Sequence, residues 1–229
     1  MSGVDRTPRA RAVTVAIDGP AGSGKTTVAR EVARRLCLPH VDTGSMYRAA
    51  TLKAFAAGVS PADGDGLRRL LGATDIVVGD GKVVMDGVDV SGPVRSAAVT
   101  AAVSQVAAQP AVREWMVARQ RQLLGERGGV MEGRDIGTAV LPGADFKFFL
   151  TATPEERARR RAAELRAEGV GTSEAAVLEE IKVRDALDSS RAVAPLRVAP
   201  GAVVIDSTAK SIDEVVDEIV RAVEGGSGG

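Results

Sequence analysis

One short stretch near the start of the chain restricts its possible folds more than any other feature. Gly19 to Thr26 read Gly-Pro-Ala-Gly-Ser-Gly-Lys-Thr, which fits the pattern G-x-x-x-x-G-K-[ST] in full. Glycines here let backbone N–H groups turn inward around an anion, and the helix that follows adds its partial positive charge. The pattern requires a strand before it and an amphipathic helix after it. It therefore predicts a phosphate-binding loop on an α/β sheet.

Both flanking elements are present in the sequence. A β-prone run, Ala12–Ile17, precedes the loop, and Gly24–Leu36 carries apolar residues at helical spacing after it. Further strand candidates are His40–Val41, Gly129–Met131, Phe146–Leu150 and Ala202–Ile205. Because helical patterns separate these runs, we expect a five-stranded parallel sheet with helices on both faces.

One segment interrupts this alternation. Residues 74–92 contain three short β-prone pieces separated by Gly-Asp-Gly and Asp-Gly, which predicts a small antiparallel meander. Two helical stretches follow, Pro93–Gln109 and Pro110–Glu126. We therefore expect residues 63–126 to form a lobe inserted into a core made of residues 12–62 and 127–224. The ends, residues 1–11 and 225–229, are expected to be disordered tails.

Composition excludes several classes of protein. Lys plus Arg and Asp plus Glu both number 30, so the basic excess typical of a nucleic-acid-binding protein is absent. Cys37 is the only cysteine and His40 the only histidine, which excludes an intrachain disulfide, a zinc site built on several such ligands and a Ser–His–Asp triad. No apolar run could span a bilayer, and no secretory signal is recognisable. With no long exposed apolar stripe either, we expect a cytoplasmic monomer.

The loop residues indicate which chemistry to expect. Lys25 can reach the β- and γ-phosphates of a nucleotide, and the Thr26 hydroxyl can bind Mg²⁺. The predicted ATP-binding residues are Gly19, Pro20, Ala21, Gly22, Ser23, Gly24, Lys25, Thr26 and Thr27. The chain has no asparagine, which disfavours GTPases that read guanine with Asn-Lys-x-Asp, and it is short for a motor or transporter ATPase. A small kinase of a phosphorylated metabolite remains.

Landmarks spread along the chain narrow the acceptor. They are Ile17-Asp-Gly-Pro-Ala-Gly-Ser-Gly-Lys-Thr26, Asp42-Thr-Gly-Ser-Met-Tyr-Arg48, Val90-Ser-Gly92, Ser104-Gln-Val-Ala107, Gly133-Arg-Asp-Ile-Gly-Thr138 and Arg191-Ala-Val-Ala-Pro195. In order and spacing the chain resembles bacterial cytidylate kinases from Val13 to Val223. The resemblance implies a P-loop NTPase fold with an inserted nucleoside-monophosphate lobe and a short helical lid. It also implies transfer of phosphate from ATP, with Mg²⁺, to CMP and dCMP.

The resemblance also implies the acceptor site. Its CMP-binding residues would be Thr43, Arg48, Ser104, Arg113, Arg134, Asp135, Arg184 and Asp188. Asp135 would accept a hydrogen bond from the cytosine amine, and Arg113 would donate to N3 and O2. Uracil would place an acceptor oxygen against the Asp135 carboxylate, which disfavours UMP. Asp188 would take the sugar hydroxyls.

Arginines would supply most of the charge at the reacting phosphates. The catalytic residues implied are Lys25, Arg134, Arg157, Arg184 and Arg191. Arg184, Asp188 and Arg191 are spaced four and three apart, hence on one helix face, where the alternative is a surface ion pair. The lid is expected at residues 154–170 within the core and contains the basic helix Pro154–Glu168, whose spacing does not tell which of its arginines points inward. Two departures from the family are Glu132, where many relatives have Asp, and Thr27.

Three alternatives stay open at this stage. The acceptor could be UMP, AMP or shikimate, and Ser104, Arg113 and Asp135 are the residues that discriminate. The chain could be a nucleotide-dependent switch, which would bind nucleotide without acceptor-dependent turnover. It could also be a structural protein with a relic loop. Two Arg-bearing sites favour the kinase, because a switch has no use for a second phosphate pocket.

Overall fold

The computed structural model describes residues 13–79, 81–167, 169–191 and 193–226. Its strands are β1 (Thr14–Asp18), β2 (His40–Asp42), β3 (Ile76–Gly79), β4 (Lys82–Met85), β5 (Val88–Asp89), β6 (Gly129–Gly133), β7 (Phe146–Thr151) and β8 (Val203–Asp206). Its helices are α1 (Lys25–Arg35), α2 (Thr43–Ala56), α3 (Gly64–Gly72), α4 (Ala97–Ala107), α5 (Pro110–Leu124), α6 (Pro154–Ala167), α7 (Glu174–Ser190) and α8 (Ile212–Gly226). Short helical turns occupy Pro93–Arg95, Gly125–Arg127 and Ile136–Val140.

The five predicted strands form one parallel sheet in the order β2-β6-β1-β7-β8. The fold-class prediction is therefore confirmed. Because the strands are parallel, the carboxyl ends of β1, β2 and β6 lie at the same edge, where ligands of such sheets bind. Asp18, at the end of β1, pairs in register with Gly133 at the end of β6.

Apolar side chains cover both faces of this sheet. Along β1 the side chains alternate, so Val15 and Ile17 join one cluster and Ala16 joins another. The first cluster packs α1 and α8 against the sheet. The second extends without a break into residues 67–124 of the insert. The central strands β1 and β6 are thus buried on both sides along nearly their whole length.

The insert (residues 63–126) contains α3, the antiparallel sheet β3-β4-β5 and helices α4 and α5. The predicted meander is confirmed, and Asp86 adopts the positive φ of 51° that the turn before Gly87 needs. The helix predicted from Pro93 begins only at Ala97, because the Ser96 hydroxyl caps it by accepting from the Val99 N–H.

Helices α6 and α7 pack on each other around a small apolar cluster of their own, formed by Ala158, Ala162, Val177 and Ile181. Helix α7 ends at Ser190, so Arg191 lies just beyond the helix in extended backbone rather than within it. Helix α8 continues to Gly226, two residues into the predicted tail. The other predicted tail residues, 1–11 and 227–229, lie outside the described residues. In the described part of the chain no helix has the length and apolar character needed to cross a membrane.

Candidate active site

The phosphate loop (residues 19–26) joins β1 to α1 and has a backbone that side chains would block. Gly19 has a φ of 153°, and a Cβ built there would lie 2.0 Å from the carbonyl oxygen of Leu150. Gly24 adopts the left-handed conformation directly before α1. The loop therefore folds tightly over the carboxyl end of the sheet and points the N-terminus of α1 at its centre.

Lys25 lies buried across this loop. Its Nζ donates to the carbonyl oxygen of Pro20 at 2.7 Å and lies 3.4 Å from the Ser23 hydroxyl. Burial, with the nearby charge of Arg134 as the next cause, lowers the pKa of the Lys25 ammonium well below its usual value. A cation in this position lacks a full counter-charge, which the phosphates of a nucleotide would supply.

Glu132, at the carboxyl end of β6, links the loop to the neighbouring strands. Its Oε2 accepts from the Thr26 hydroxyl at 3.0 Å, and its backbone oxygen accepts from the buried Thr43 hydroxyl at 2.6 Å. Burial raises the pKa of the Glu132 carboxyl. The other carboxylate oxygen lies 3.4 Å from Nε2 of His40, outside hydrogen-bond geometry. Glu132 thus contacts the predicted metal ligand Thr26 through its carboxylate and the predicted acceptor residue Thr43 through its backbone oxygen.

An arginine cluster stands at the same edge of the sheet. Asp188, only 1% exposed, accepts from Arg134 Nε at 2.8 Å through one oxygen and from Arg191 through the other. Burial opposes the charged form of Asp188, but Arg134 and Arg191 outweigh it and lower the pKa of this carboxyl. The prediction that Arg184, Asp188 and Arg191 share one helix face is wrong for Arg191, because α7 ends at Ser190, but Arg191 still donates to Asp188. We call Arg134, Arg184, Asp188 and Arg191 the acceptor cluster.

Two arginines at this edge, Arg48 and Arg184, form no ion pair with a carboxylate among the described residues. The buried Nε of Arg184 has no hydrogen-bond partner among the described residues, and burial followed by the charge of Arg134 lowers the Arg184 pKa to about 10. Arg48 donates to the Thr100 hydroxyl at 2.7 Å. Burial, followed by the charge of Arg161, lowers the Arg48 pKa as well. Several half-buried cations whose charges act on one another form a site that suits a multiply charged anion.

Arg113 and Asp135 form a buried ion pair beside the cluster. Asp135 follows β6, and Arg113 lies on α5 of the insert. Burial raises the pKa of Asp135, and Arg113 opposes this rise. Arg113 also lies 3.4 Å from the hydroxyl of Tyr47. Ser104, on α4, is half-buried, and its hydroxyl makes no hydrogen bond within the described part of the chain. The structure thus joins Arg113 and Asp135 directly and leaves the Ser104 hydroxyl free.

Comparisons with known proteins bear on this arrangement. The family model described as cytidylate kinase matches residues 15–225. The chain belongs to the cytidylate kinase family. It is 51% identical over 217 residues to a cytidylate kinase of Geobacillus kaustophilus, covering 93% of this chain and 97% of that protein. It is 49% identical over 216 residues to one of Symbiobacterium thermophilum, covering 92% and 96%. The recognition made from the sequence landmarks is confirmed.

Likeness to solved structures is weaker and concerns the fold alone. An uncharacterized protein from Eubacterium ventriosum superposes with a TM-score of 0.50 at 13% identity, covering 93% of this chain and 98% of that one.

The arginines of the basic helix α6 have different surroundings and contacts. Arg157 is buried and donates to the carbonyl oxygens of Ala152 at 2.9 Å and Ala21 at 3.2 Å, and to Asp185 at 2.7 Å. It therefore supports the phosphate loop from behind. Arg160 donates to the Ser207 carbonyl oxygen at 2.6 Å. Arg161 is the arginine of α6 whose charge acts on Arg48 of the acceptor side.

The structure also brings in residues that the sequence reasoning missed. Tyr47 contacts Arg113, and Thr100 holds Arg48. The carboxylate of Asp18 accepts from the N–H groups of Ile136 and Gly137. Tyr47 and Asp18 belong to the quoted landmarks, where each adjoins a residue that was singled out. Thr100 had no such signal, because its contact spans 52 residues.

Proposed function

We propose that the enzyme transfers the γ-phosphoryl group of ATP to CMP and dCMP, giving CDP and dCDP. One observation carries the proposal. Arg134 directly follows Gly133, which pairs in register with Asp18 just before the phosphate loop, and after burial the charge of Arg134 is the next cause that lowers the pKa of the Lys25 ammonium. A donor phosphate on the loop and an acceptor phosphate on the cluster would therefore meet at one place. A nucleotide switch needs only the first of these two sites.

The chemistry asks for positioning and charge neutralisation. The attacking group is a phosphate oxygen of CMP, whose second pKa is about 6, so it is ionised at neutral pH without a general base. Lys25 would hold the transferring group from the loop side, and Arg134, Arg184 and Arg191 would hold the acceptor from the other. Arg184 is suited to this role because its buried Nε needs a partner. Transfer between the two phosphates would proceed in line.

Mg²⁺ is the cofactor that the residues present would fit. The Thr26 hydroxyl and the Glu132 carboxylate, 3.0 Å apart, are hard oxygen donors of the kind that Mg²⁺ prefers. The described residues contain no group of three or more His, Cys, Asp or Glu side chains able to hold a metal. Mg²⁺ in kinases is usually held by one or two protein oxygens together with the substrate phosphates. Bound there, it would offset negative charge on the β- and γ-phosphates.

The Arg113–Asp135 pair favours cytosine over other bases in the acceptor nucleotide. Asp135 keeps lone pairs for the exocyclic amine while Arg113 neutralises it, and Arg113 has further N–H groups for O2 and N3. A base that presents an acceptor at this point would leave Asp135 without a donor in a buried site, which a hydrogen-bonding pocket rejects strongly. Ser104 offers a third polar contact. Asp188, whose oxygens both accept from arginines, retains lone pairs for a sugar hydroxyl.

We further propose that the α6–α7 unit acts as the lid. Its apolar cluster is internal to the two helices, so a movement would break polar contacts such as that of Arg157 with the Ala21 carbonyl oxygen and leave the cores on the sheet closed. Arg161 would then approach the phosphates, because its charge already acts on Arg48 of the acceptor side. Closure would exclude water and limit hydrolysis of ATP. The division into core and insert at residues 63 and 126, a monomeric state and a cytoplasmic location stay predictions.

The test is an assay of ADP release with ATP and Mg²⁺, in which CMP, dCMP, UMP, AMP and GMP are offered separately. We expect turnover with CMP and dCMP well above the others. Lys25→Met should lower kcat by about 10²–10³-fold or more, whereas Lys53→Met, which removes a lysine paired on the surface with Asp86, should not. Turnover with another acceptor would overturn the reading of Arg113 and Asp135. Acceptor-independent hydrolysis alone would favour a switch.

A further inference from the structure

A buried carboxylate connects the phosphate loop to the acceptor segment. Asp18 is the last residue of β1, directly before Gly19, and it is 2% exposed. Its Oδ1 accepts from the Ile136 N–H at 2.8 Å, and its Oδ2 accepts from the Gly137 N–H at 2.8 Å. Ile136 and Gly137 begin the helical turn that follows Arg134 and Asp135. The N–H groups at the start of such a turn have no partner within it, so the carboxylate satisfies them.

Stability alone does not explain a charged group here. Burial raises the pKa of Asp18 to about 6, an effect that the N–H groups of Gly137 and Ile136 only partly offset. A buried charge is therefore costly, and a neutral group that satisfied both N–H groups would avoid that cost. What the carboxylate supplies is geometry, because its two oxygens can accept from two successive N–H groups. An asparagine side chain has one such oxygen and turns an NH₂ group toward the second N–H.

The hydrogen bonds of Asp18 complete a two-sided restraint. Gly133 is fixed by the sheet, since it pairs in register with Asp18 itself. Ile136 and Gly137 are fixed by the Asp18 side chain. Only Arg134 and Asp135 lie between these anchors. Asp18 therefore fixes both ends of the span Arg134–Asp135. In the proposed function Arg134 contacts the acceptor phosphate and Asp135 contacts the base.

We propose that Asp18 is a positioning residue for the acceptor nucleotide, which sets Arg134 and Asp135 relative to the phosphate loop. The inference rests on the proposed CMP kinase activity and goes beyond it, because Asp18 itself touches neither substrate. It predicts that loss of the second hydrogen bond weakens the use of CMP and leaves the use of ATP nearly unchanged. A residue needed only for folding would affect both substrates alike.

The main test is the Asp18→Asn variant in the full chain. We expect its KM for CMP to rise about tenfold, the effect of one lost charge-assisted hydrogen bond, while its KM for ATP stays within about twofold. Titration with CMP alone, followed by fluorescence of Trp115, the only tryptophan, should show the same weakening without turnover. Asp63→Asn is the matched control: this exposed carboxylate also accepts a backbone N–H, from Gly66 at 2.9 Å, and Asn caps a helix equally well.

A second variant approaches the same hydrogen bonds from the opposite side. A Cβ at Gly137 would lie 3.0 Å from Cβ of Ala199 and 3.4 Å from Oδ2 of Asp18, so Gly137→Ala should displace the segment slightly without changing any charge. Gly137→Ala should also raise the KM for CMP. It serves as the test of the proposal if Asp18→Asn does not fold. An unchanged KM for CMP in a folded variant, or equal rises for both substrates, would overturn the inference. Failure of the unsubstituted enzyme to use CMP would instead overturn the proposed function.

Discussion

At the scale of single residues, the site is a set of charges held short of their usual partners. Lys25 donates to the carbonyl oxygen of its own loop, and the buried Nε of Arg184 has no hydrogen-bond partner in the described residues. Asp188 and Asp135 are exceptions: Asp188 is neutralised by two arginines and orients both, and Asp135 is paired with Arg113. Sequence spacing could suggest that these residues meet. It could not show that the Asp188 carboxylate points at Arg134 and Arg191, because the rotamers of these side chains are fixed by packing.

Tyr47 provides a pH-dependent test of the base pocket. Burial, partly opposed by the charge of Arg113, raises the pKa of the Tyr47 hydroxyl from 10.0 to about 12. It is the only tyrosine, so alkaline titration of tyrosinate absorbance reports it alone. We expect a midpoint near 12 in the folded protein. Because the unfolded chain loses this proton first, the contribution to stability is present below pH 10 and is lost as the pH rises toward 12.

Removing Arg113 should shift that midpoint in a known direction. The guanidinium favours tyrosinate, so Arg113→Met should raise the Tyr47 pKa further. A midpoint near the ordinary value of 10.0 in a protein shown to be folded would mean that Tyr47 is solvated and does not support Arg113.

At the scale of elements, the sequence predicted regular structure well where one pattern decided it. The five strands of the sheet and the meander have turn residues or apolar runs that permit few alternatives. The boundaries agreed less well: α4 begins at Ala97, four residues after the predicted Pro93, and α7 ends before Arg191. The role of Arg157 was also not predictable, because its partners are backbone oxygens of Ala21 and Ala152. Backbone acceptors leave no signature in residue types.

The position of Arg157 predicts a mainly structural role. Arg157→Met removes the donor to Ala21, Ala152 and Asp185, and we expect the free energy of unfolding to fall by about 2 kcal/mol. The double variant Arg157→Met/Asp185→Asn should lose less than the sum of the two single variants, because Asn leaves no unpaired charge beside α6. Urea denaturation of the four proteins measures this coupling. An unchanged stability together with a loss of kcat as large as for Lys25→Met would place Arg157 at the reacting phosphates.

At the scale of the whole molecule, the sheet and the insert share an apolar core. Ala16 of β1 and Met131 of β6 belong to the same cluster as Leu67, Ile76 and Met116 of the insert. The sequence showed that residues 63–126 interrupt the alternation of strands and helices. It did not show whether the interruption packs as a separate body, because apolar periodicity marks which side chains are buried and not what they are buried against.

The shared core predicts a single cooperative unfolding transition for sheet and insert. Trp115 of the insert packs against the common cluster, so its fluorescence reports the insert, whereas far-UV circular dichroism reports the chain as a whole. We expect the two signals to have the same midpoint in urea. An earlier fluorescence midpoint would show that the insert unfolds alone.

The same shared core limits how acceptor preference could be re-engineered. In the proposed function Arg113 contacts the base from α5, and α5 contributes Val112 and Met116 to the cluster that covers the sheet. The insert is therefore not a transplantable module. A chimera that took residues 63–126 from a kinase of different acceptor would also need the side chains of β1, β6 and α2 that interlock with them, or it would acquire cavities beneath its new binding site.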